Sequence, residues 1–233
     1  MHLDLAIRKT LSSGRQSFTL DLRLTCQRQR TVIMGPSGAG KTLALKAIAG
    51  LLRPDAGHIR LDGQVLYDAA AGIHLPPQAR NVAFVFQDYA LFPHLTVRQN
   101  VAFALKRHCW NPGRRVQHDV VQYWLAAFQL APVADQFPGE ISGGQQQRTA
   151  LARALVTQPR ALLLDEPFAA LDPELRGAMR AELAALQQRL QVPMVLITHD
   201  PEDAAVFGDQ ILHLRGGRIE TVEETAQGEP PYG

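Results

Sequence analysis

Residues 35 to 42 read Gly35-Pro36-Ser37-Gly38-Ala39-Gly40-Lys41-Thr42, a glycine-rich turn closed by a lysine and a hydroxyl residue. This spacing fits the G-x-x-x-x-G-K-[ST] pattern. It is preceded by Thr31-Val32-Ile33-Met34, a short apolar run that reads as a fully buried strand. It is followed by Lys41 to Ala49, where leucine and alanine recur at helical spacing before Gly50, a helix stop. The loop thus joins a strand to a helix. Without Cβ atoms its glycines let successive backbone N–H groups turn inward on a phosphate. The helix adds the positive end of its dipole. Lys41 is placed to reach the β- and γ-phosphates of a nucleotide, and the Thr42 hydroxyl to ligate Mg²⁺.

Strand and helix signals alternate along the rest of the chain. Leu3 to Leu24 alternates apolar and polar residues, as half-buried strands do. Gly57 to Tyr67 reads as a hairpin turning at Asp62-Gly63, and Val82 to Phe86 as another apolar strand. From Asp88 to about Gly139 the texture changes to a mostly helical insertion. Val97 to Lys106 and Val116 to Leu130 carry helical periodicity, with prolines and glycines as breaks. Ala161 to Leu164 and Met194 to Thr198 are again apolar runs, separated by Pro173 to Leu190, which is rich in good helix formers. Ile211 to Glu220, turning at Gly216-Gly217, reads as a last hairpin, and the polar tail beyond Glu220 as frayed. Such alternation predicts an α/β chain with a mainly parallel sheet covered by helices.

Composition excludes several classes. Lys plus Arg is 24 and Asp plus Glu is 22 among 233 residues, so no basic field for nucleic acid exists. No apolar run approaches the ~18 residues that cross a bilayer. The start MHLDLAIRKT lacks the cationic, apolar and small-residue stretches of a signal peptide. The chain is therefore expected to stay where it is made and to reach a membrane only through a partner. Cys26 and Cys109 belong to no metal-binding cluster. Two reduced thiols are expected, and nothing in the spacing demands a disulfide.

Two further places carry chemistry. Leu162-Leu163-Leu164-Asp165-Glu166 sets two carboxylates at the end of an apolar strand. In open parallel sheets ligands gather at such ends. Beside a phosphate loop, Asp165 is expected to hold Mg²⁺ through water and Glu166 to polarise the attacking water. Ile141-Ser142-Gly143-Gly144-Gln145 opens a helix running to about Val156. Ser142 is a natural N-cap, and the adjoining glycines leave the helix end bare, which makes a second anion site.

That last segment resembles the LSGGQ signature of ATP-binding cassette (ABC) proteins, with Ile141 in the leucine position. Gln87 resembles the Q-loop glutamine, Ala170-Leu171-Asp172 the D-loop, and His199 the switch histidine, all in family order. The resemblance spans about Gly35 to Gly217. It implies a P-loop NTPase (RecA-like) core with an N-terminal antiparallel β subdomain and a helical insertion subdomain. Residues 1–87 would hold the β subdomain and the phosphate-loop part of the core, 88–157 the helical subdomain with the signature, and 158–233 the rest of the core, all in one ABC ATPase domain. It also implies Mg-ATP hydrolysis in a head-to-tail pair of cassettes, with Ser142, Gly143, Gly144 and Gln145 closing over the nucleotide of a second copy. His199 would touch the γ-phosphate and orient Glu166, Gln87 would ligate Mg²⁺ and sense closure, and Asp172 would act across the dimer interface.

The stretch from Val65 to Pro93 is similar to importer cassettes for small solutes, most of all to those of molybdate importers. Sulfate, polyamine and sugar cassettes share much of it. The implied partners are permease subunits and a solute-binding protein outside the membrane, with the chain on the cytoplasmic face. Two departures matter. Many relatives carry an adenine-stacking aromatic near residue 12, where this chain has Thr10-Leu11-Ser12-Ser13-Gly14-Arg15, so Leu11 or Arg15 is the candidate replacement. Many molybdate-importer ATPases also carry a C-terminal oxyanion-binding domain, and none is expected in the sequence up to Gly233. A soluble cassette acting on DNA or ribosomes is disfavoured by the short insertion and balanced charge. A non-hydrolysing scaffold is disfavoured by the presence of Lys41, Glu166 and His199.

Overall fold

The computed structural model describes residues 1–14, 16–105, 111–114, 116–169 and 171–224. Strands β1 (Leu3–Ser13) and β2 (Gln16–Cys26) form a long antiparallel pair. Leu3, Leu5 and Ile7 are buried, as their alternation requires. Strand β3 (Arg30–Met34) then leads through the glycine loop into helix α1 (Lys41–Ala49). Strands β4 (Ala56–Leu61), β5 (Gln64–Asp68) and β6 (Ile73–His74) complete a five-stranded antiparallel sheet in the order β2-β1-β4-β5-β6. Strand β7 (Val82–Val85) returns the chain to the other sheet.

Helices α2 (Val97–Phe103), α3 (Asp119–Ala127) and α4 (Gly143–Leu155) follow. Next come strand β8 (Ala161–Asp165), helix α5 (Pro173–Leu190), strand β9 (Met194–Thr198), helix α6 (Pro201–Phe207) and the hairpin β10 (Gln210–Arg215) and β11 (Arg218–Glu224). The second sheet has the order β11-β10-β3-β9-β8-β7. Its strands from β10 to β7 are parallel, and β11 alone runs against its neighbour. The expected α/β architecture is therefore present, with its antiparallel subdomain and helical insertion.

The parallel sheet is covered on both faces, so β8 and β9 are buried along their whole length. Their period of two deals neighbouring residues to opposite cores. Leu162, Leu164 and Leu196 join the helical side, packing with Val97, Leu125, Leu151 and Phe168. Ala161, Leu163, Val195 and Ile197 join the side of α1 and the antiparallel sheet, packing with Leu45, Ile48 and Leu20.

Several expectations need correction. Helix α2 stops at Phe103 rather than running to Lys106, which lies outside the described residues. Helix α3 covers 119–127, not 116–130, because His118 is extended and Gln129 takes the left-handed region at φ 55. The apolar pattern continued past both ends because Val116 and Leu130 still pack on the core. Strand β11 extends to Glu224, past the expected fraying point, and 225–233 lie outside the described residues. Cys26 is a buried free thiol 2.7 Å from the Thr31 hydroxyl, while Cys109 lies outside the described residues.

The Arg80 side chain ties the end of α1 to the segment that follows β6. Arg80 is fully buried and donates to the carbonyls of Ala47 (2.8 Å), Ile48 (2.9 Å) and Leu75 (2.9 Å). A cation thus closes the negative end of α1. Burial pushes its guanidinium down to about 10. Gly50 makes the room, since a Cβ there would lie 2.5 Å from Arg80 Nε.

Candidate functional site

The phosphate loop is a bare helix entrance. Gly40, the N-cap of α1, is left-handed at φ 102, provides no side-chain cap, and no acid stands in the first turn. A Cβ on Gly40 would lie 2.7 Å from Leu20 Cδ1 and 3.0 Å from Phe18 Cζ. Gly35 is equally constrained, because a Cβ there would lie 2.1 Å from the Leu214 carbonyl oxygen. The Gly216-Gly217 turn braces the loop from the far hairpin, as Gly217 N donates to Ala39 O (3.0 Å) and Asp21 N donates to Gly217 O (2.8 Å). Lys41 folds back over the loop, its Nζ donating to the carbonyls of Gly35 (2.8 Å) and Pro36 (3.1 Å). Pro36, Ser37, Gly38 and Ala39 complete the curve, with Gly38 left-handed at φ 77.

Topology brings the other groups to this loop. Strands β3, β9, β8 and β7 are adjacent and parallel, so their C-terminal ends form one rim. The loop leaves β3, His199 follows β9, Asp165 ends β8 with Glu166 next to it, and Gln87 lies two residues beyond β7. Thr42 Oγ1 donates to Asp165 Oδ1 at 3.0 Å. Burial pushes the Asp165 carboxyl up; the Thr42 hydroxyl opposes this and the charge of Glu166 adds to it. Glu166 stands between two cations or potential cations, with Lys41 Nζ at 3.8 Å and His199 Nδ1 at 3.4 Å. Its backbone takes φ 46, uncommon without glycine, while its N–H donates to Ile197 O at 3.0 Å. Gln87 is exposed, in the turn that follows β7.

The second glycine-flanked helix end differs. Ser142 caps α4 in a reciprocal box: its Oγ accepts from Gln145 N (3.3 Å) and its N donates to Gln145 Oε1 (2.9 Å). Ser142 and Gly143 are exposed, and Gly144 is buried against Leu175. Asp172 is also exposed and caps α5, accepting from Leu175 N at 2.9 Å. Ala170 lies outside the described residues.

Two features were not anticipated. Phe18 stands opposite Leu11 in the β1–β2 register. An apolar ledge therefore borders the phosphate loop although no aromatic lies near residue 12, and Arg15 is outside the described residues. The second is a cluster of Arg176, Arg180, Asp200 and Asp203 beside His199. An Asp200-Pro201 start with Glu202 and Asp203 in the first turn signals helix α6 in the sequence, but no pattern indicates that arginines 20 to 24 residues earlier will meet it.

Thr42, Asp165 and the exposed Gln87 supply oxygen donors, the chemistry Mg²⁺ requires. Among the described residues no group of three or more His, Cys, Asp or Glu could hold a metal alone. The donor set fits a magnesium that comes with a nucleotide and takes its remaining ligands from phosphate and water. The uncapped α1 entrance supplies the matching anion site.

Residues 19–169 match a protein-family model described as ABC transporter. The chain is 46% identical over 190 residues to a sulfate/thiosulfate import ATP-binding protein of Synechocystis, covering 82% of this chain and 51% of that protein. It is 47% identical to a spermidine/putrescine import ATP-binding protein of Nitratidesulfovibrio vulgaris, covering 82% and 50%. A Pseudomonas fluorescens Fe(3+) ions import ATP-binding protein is also 47% identical, covering 82% and 53%. The chain thus spans about half the length of these curated relatives. The dimeric cassette MJ0796, in a post-hydrolysis state bound to ADP and Pi, superposes with a TM-score of 0.77 at 30% identity, covering 95% of this chain and 98% of that one. No helix among the described residues is long and apolar enough to cross a membrane.

Proposed function

The chain belongs to the ABC transporter family and has its ATPase cassette fold, and from that premise we propose that it is the subunit that hydrolyses ATP to energise import of a small solute. The observation that carries this reading is Glu166, held between Lys41 at 3.8 Å and His199 at 3.4 Å on the rim of the parallel sheet. Lys41 exchanges its carbonyl contacts for the β- and γ-phosphates. The N–H groups of Gly35 and residues 37–42 would hold the phosphates, Pro36 having none to give, and Thr42, Asp165 and Gln87 would hold Mg²⁺, which would offset phosphate charge. Glu166 takes a proton from the attacking water, and His199 holds the γ-phosphate and Glu166 in register.

A second copy completes the site. Ser142, Gly143, Gly144 and Gln145 of one copy face the γ-phosphate held by the other, and Asp172 works at the same interface. The division into 1–87, 88–157 and 158–233 belongs to this reading, with Gln87 at the hinge to the helical part. Permease subunits dock the pair on the cytoplasmic face of the membrane, and a solute-binding protein delivers cargo from the other side. The Val65 to Pro93 wording supports molybdate or a related oxyanion as that cargo. The relatives named for sulfate, polyamines and iron support the alternatives.

The test is copurification of the chain with its permease, followed by ATPase assays in proteoliposomes with each solute. Stimulation by one oxyanion is the expected result. Absence of any membrane partner, with unstimulated hydrolysis in solution, would sink the transport reading while leaving the ATPase intact.

A further inference from the structure

His199 is poorly held by its own contacts. Its side chain is 65% exposed, and its one ion-pair partner among the described residues is Glu166. The backbone on either side of it is tied down instead. Thr198 Oγ1 donates to Asp203 Oδ2 (2.5 Å) and accepts from Asp200 N (3.0 Å). The Asp203 carboxylate, 4% exposed, then accepts from Arg180 Nε at 2.5 Å. Arg180 is itself 9% exposed on the side chain and donates its other nitrogens to Asp200 and Glu202. Its guanidinium lies 6.0 Å from the Phe168 ring, two residues after Glu166.

One arginine therefore collects three carboxylates from the cap and first turn of α6, at the point where β9 delivers the histidine. A bare Coulomb contact would not need the planar fork, but three donors aimed at three carboxylates do. Arg176 stands one turn earlier on the same face of α5, and its Nη1 lies 3.5 Å from Asp200 Oδ2. Its Nη2 donates to Leu171 O at 3.2 Å, next to Asp172. Glu166, His199, Arg176, Asp200 and Asp203 all line one small pocket.

We propose that Arg180 is a positioning residue that holds His199 against Glu166, and that through α5 it ties the histidine to the partner-facing Asp172. The proposal rests on His199 acting in hydrolysis. Contact at Asp172 then reaches the histidine through one rigid helix and one guanidinium, with no intervening loop. The sequence carries no sign of this, because Arg180 sits in an ordinary helix-forming stretch.

The experiment is steady-state ATPase kinetics on the full chain with Arg180→Lys, His199→Ala and the double variant. Lysine keeps the charge opposite the carboxylates and loses the fork. Asp203→Asn is the second variant, cutting the same chain from its other end without removing a buried cation. Arg180→Lys and Asp203→Asn should each lower kcat at least tenfold, with the KM for ATP within twofold of the parent. On the His199→Ala background Arg180→Lys should have no further effect, since its target is already gone. A further tenfold loss on that background, or a rise in KM with kcat unchanged, would overturn the assignment and leave Arg180 as a plain structural brace. Full activity of His199→Ala alone would instead remove the role of the histidine, and the proposal with it.

Discussion

The two glycine-flanked helix entrances, α1 and α4, begin alike and end up different. Neither carries an acidic residue in its first turn, so neither neutralises its own dipole. At α1 the cap is a left-handed glycine with no side chain to offer, and the entrance is enclosed by Phe18, Leu20 and the far hairpin. At α4 a serine and a glutamine satisfy each other, and the entrance stands open to solvent. The α1 end leaves its N–H groups without a side-chain cap and is shaped by its own domain. The α4 end has its cap within its own chain, and in the proposed function it is the one that meets the nucleotide of a second copy. Helices α5 and α6 show the third option, with aspartate caps and acids in the first turn, which repel phosphate.

The comparison can be broken most sharply at Lys41. Lys41→Ala should reduce nucleotide affinity more than a hundredfold and abolish turnover, as titration with a fluorescent nucleotide would report. Near-normal hydrolysis would refute the assignment of the α1 end. Glu166→Gln should lower turnover by about 10²–10⁴ through loss of the base, keep nucleotide binding, and accumulate as a closed dimer on gel filtration with Mg-ATP. A variant that stays monomeric and fully active would count against the role of Glu166. Ser142→Ala should leave the affinity of the monomer for nucleotide unchanged and weaken ATP-driven dimerisation, while costing about 1 kcal/mol of stability through the lost cap. If monomer affinity falls instead, the α4 end serves its own chain and the contrast is wrong. The smallest effect separates the glycines. Gly40→Ala should cost about 1–3 kcal/mol, because alanine must adopt φ 102 against Leu20 and Phe18. Gly143→Ala should stay within about 0.5 kcal/mol, since its Cβ would meet Leu171 at 3.7 Å, an ordinary contact. Thermal melts of the pair decide it.

The sequence disclosed those parts of the molecule whose chemistry is local. Helices α1 and α5 run over the residues their periodicity and stops indicated, and the loop and the Asp165-Glu166 pair stand where their flanking strands implied. Pairing at long range was not legible. Strand β3 lies between β10 and β9, both contributed by the last third of the chain, and no residue in β3 encodes that neighbourhood. The short helix α6 has clear start signals but only seven residues, too few for a period to emerge. Buried arginines were the largest omission. Arg80 and Arg180 look like surface charges by type, and only the folded chain reveals the carbonyls and carboxylates that make their burial affordable. The place of Phe18 was not legible for a related reason, because only the strand register sets it opposite Leu11.

The brace between Gly217 and Ala39 has a consequence for how the molecule is made. The glycine turn that shapes the loop from outside is synthesised about 180 residues after the loop it supports, roughly 10–40 s later at ~5–20 residues per second. Until that hairpin emerges from the ribosome, the Ala39 carbonyl lacks the Gly217 N–H that it accepts from in the folded chain. A nascent chain arrested before the hairpin should already contain every phosphate-contacting residue and still be unable to retain a nucleotide.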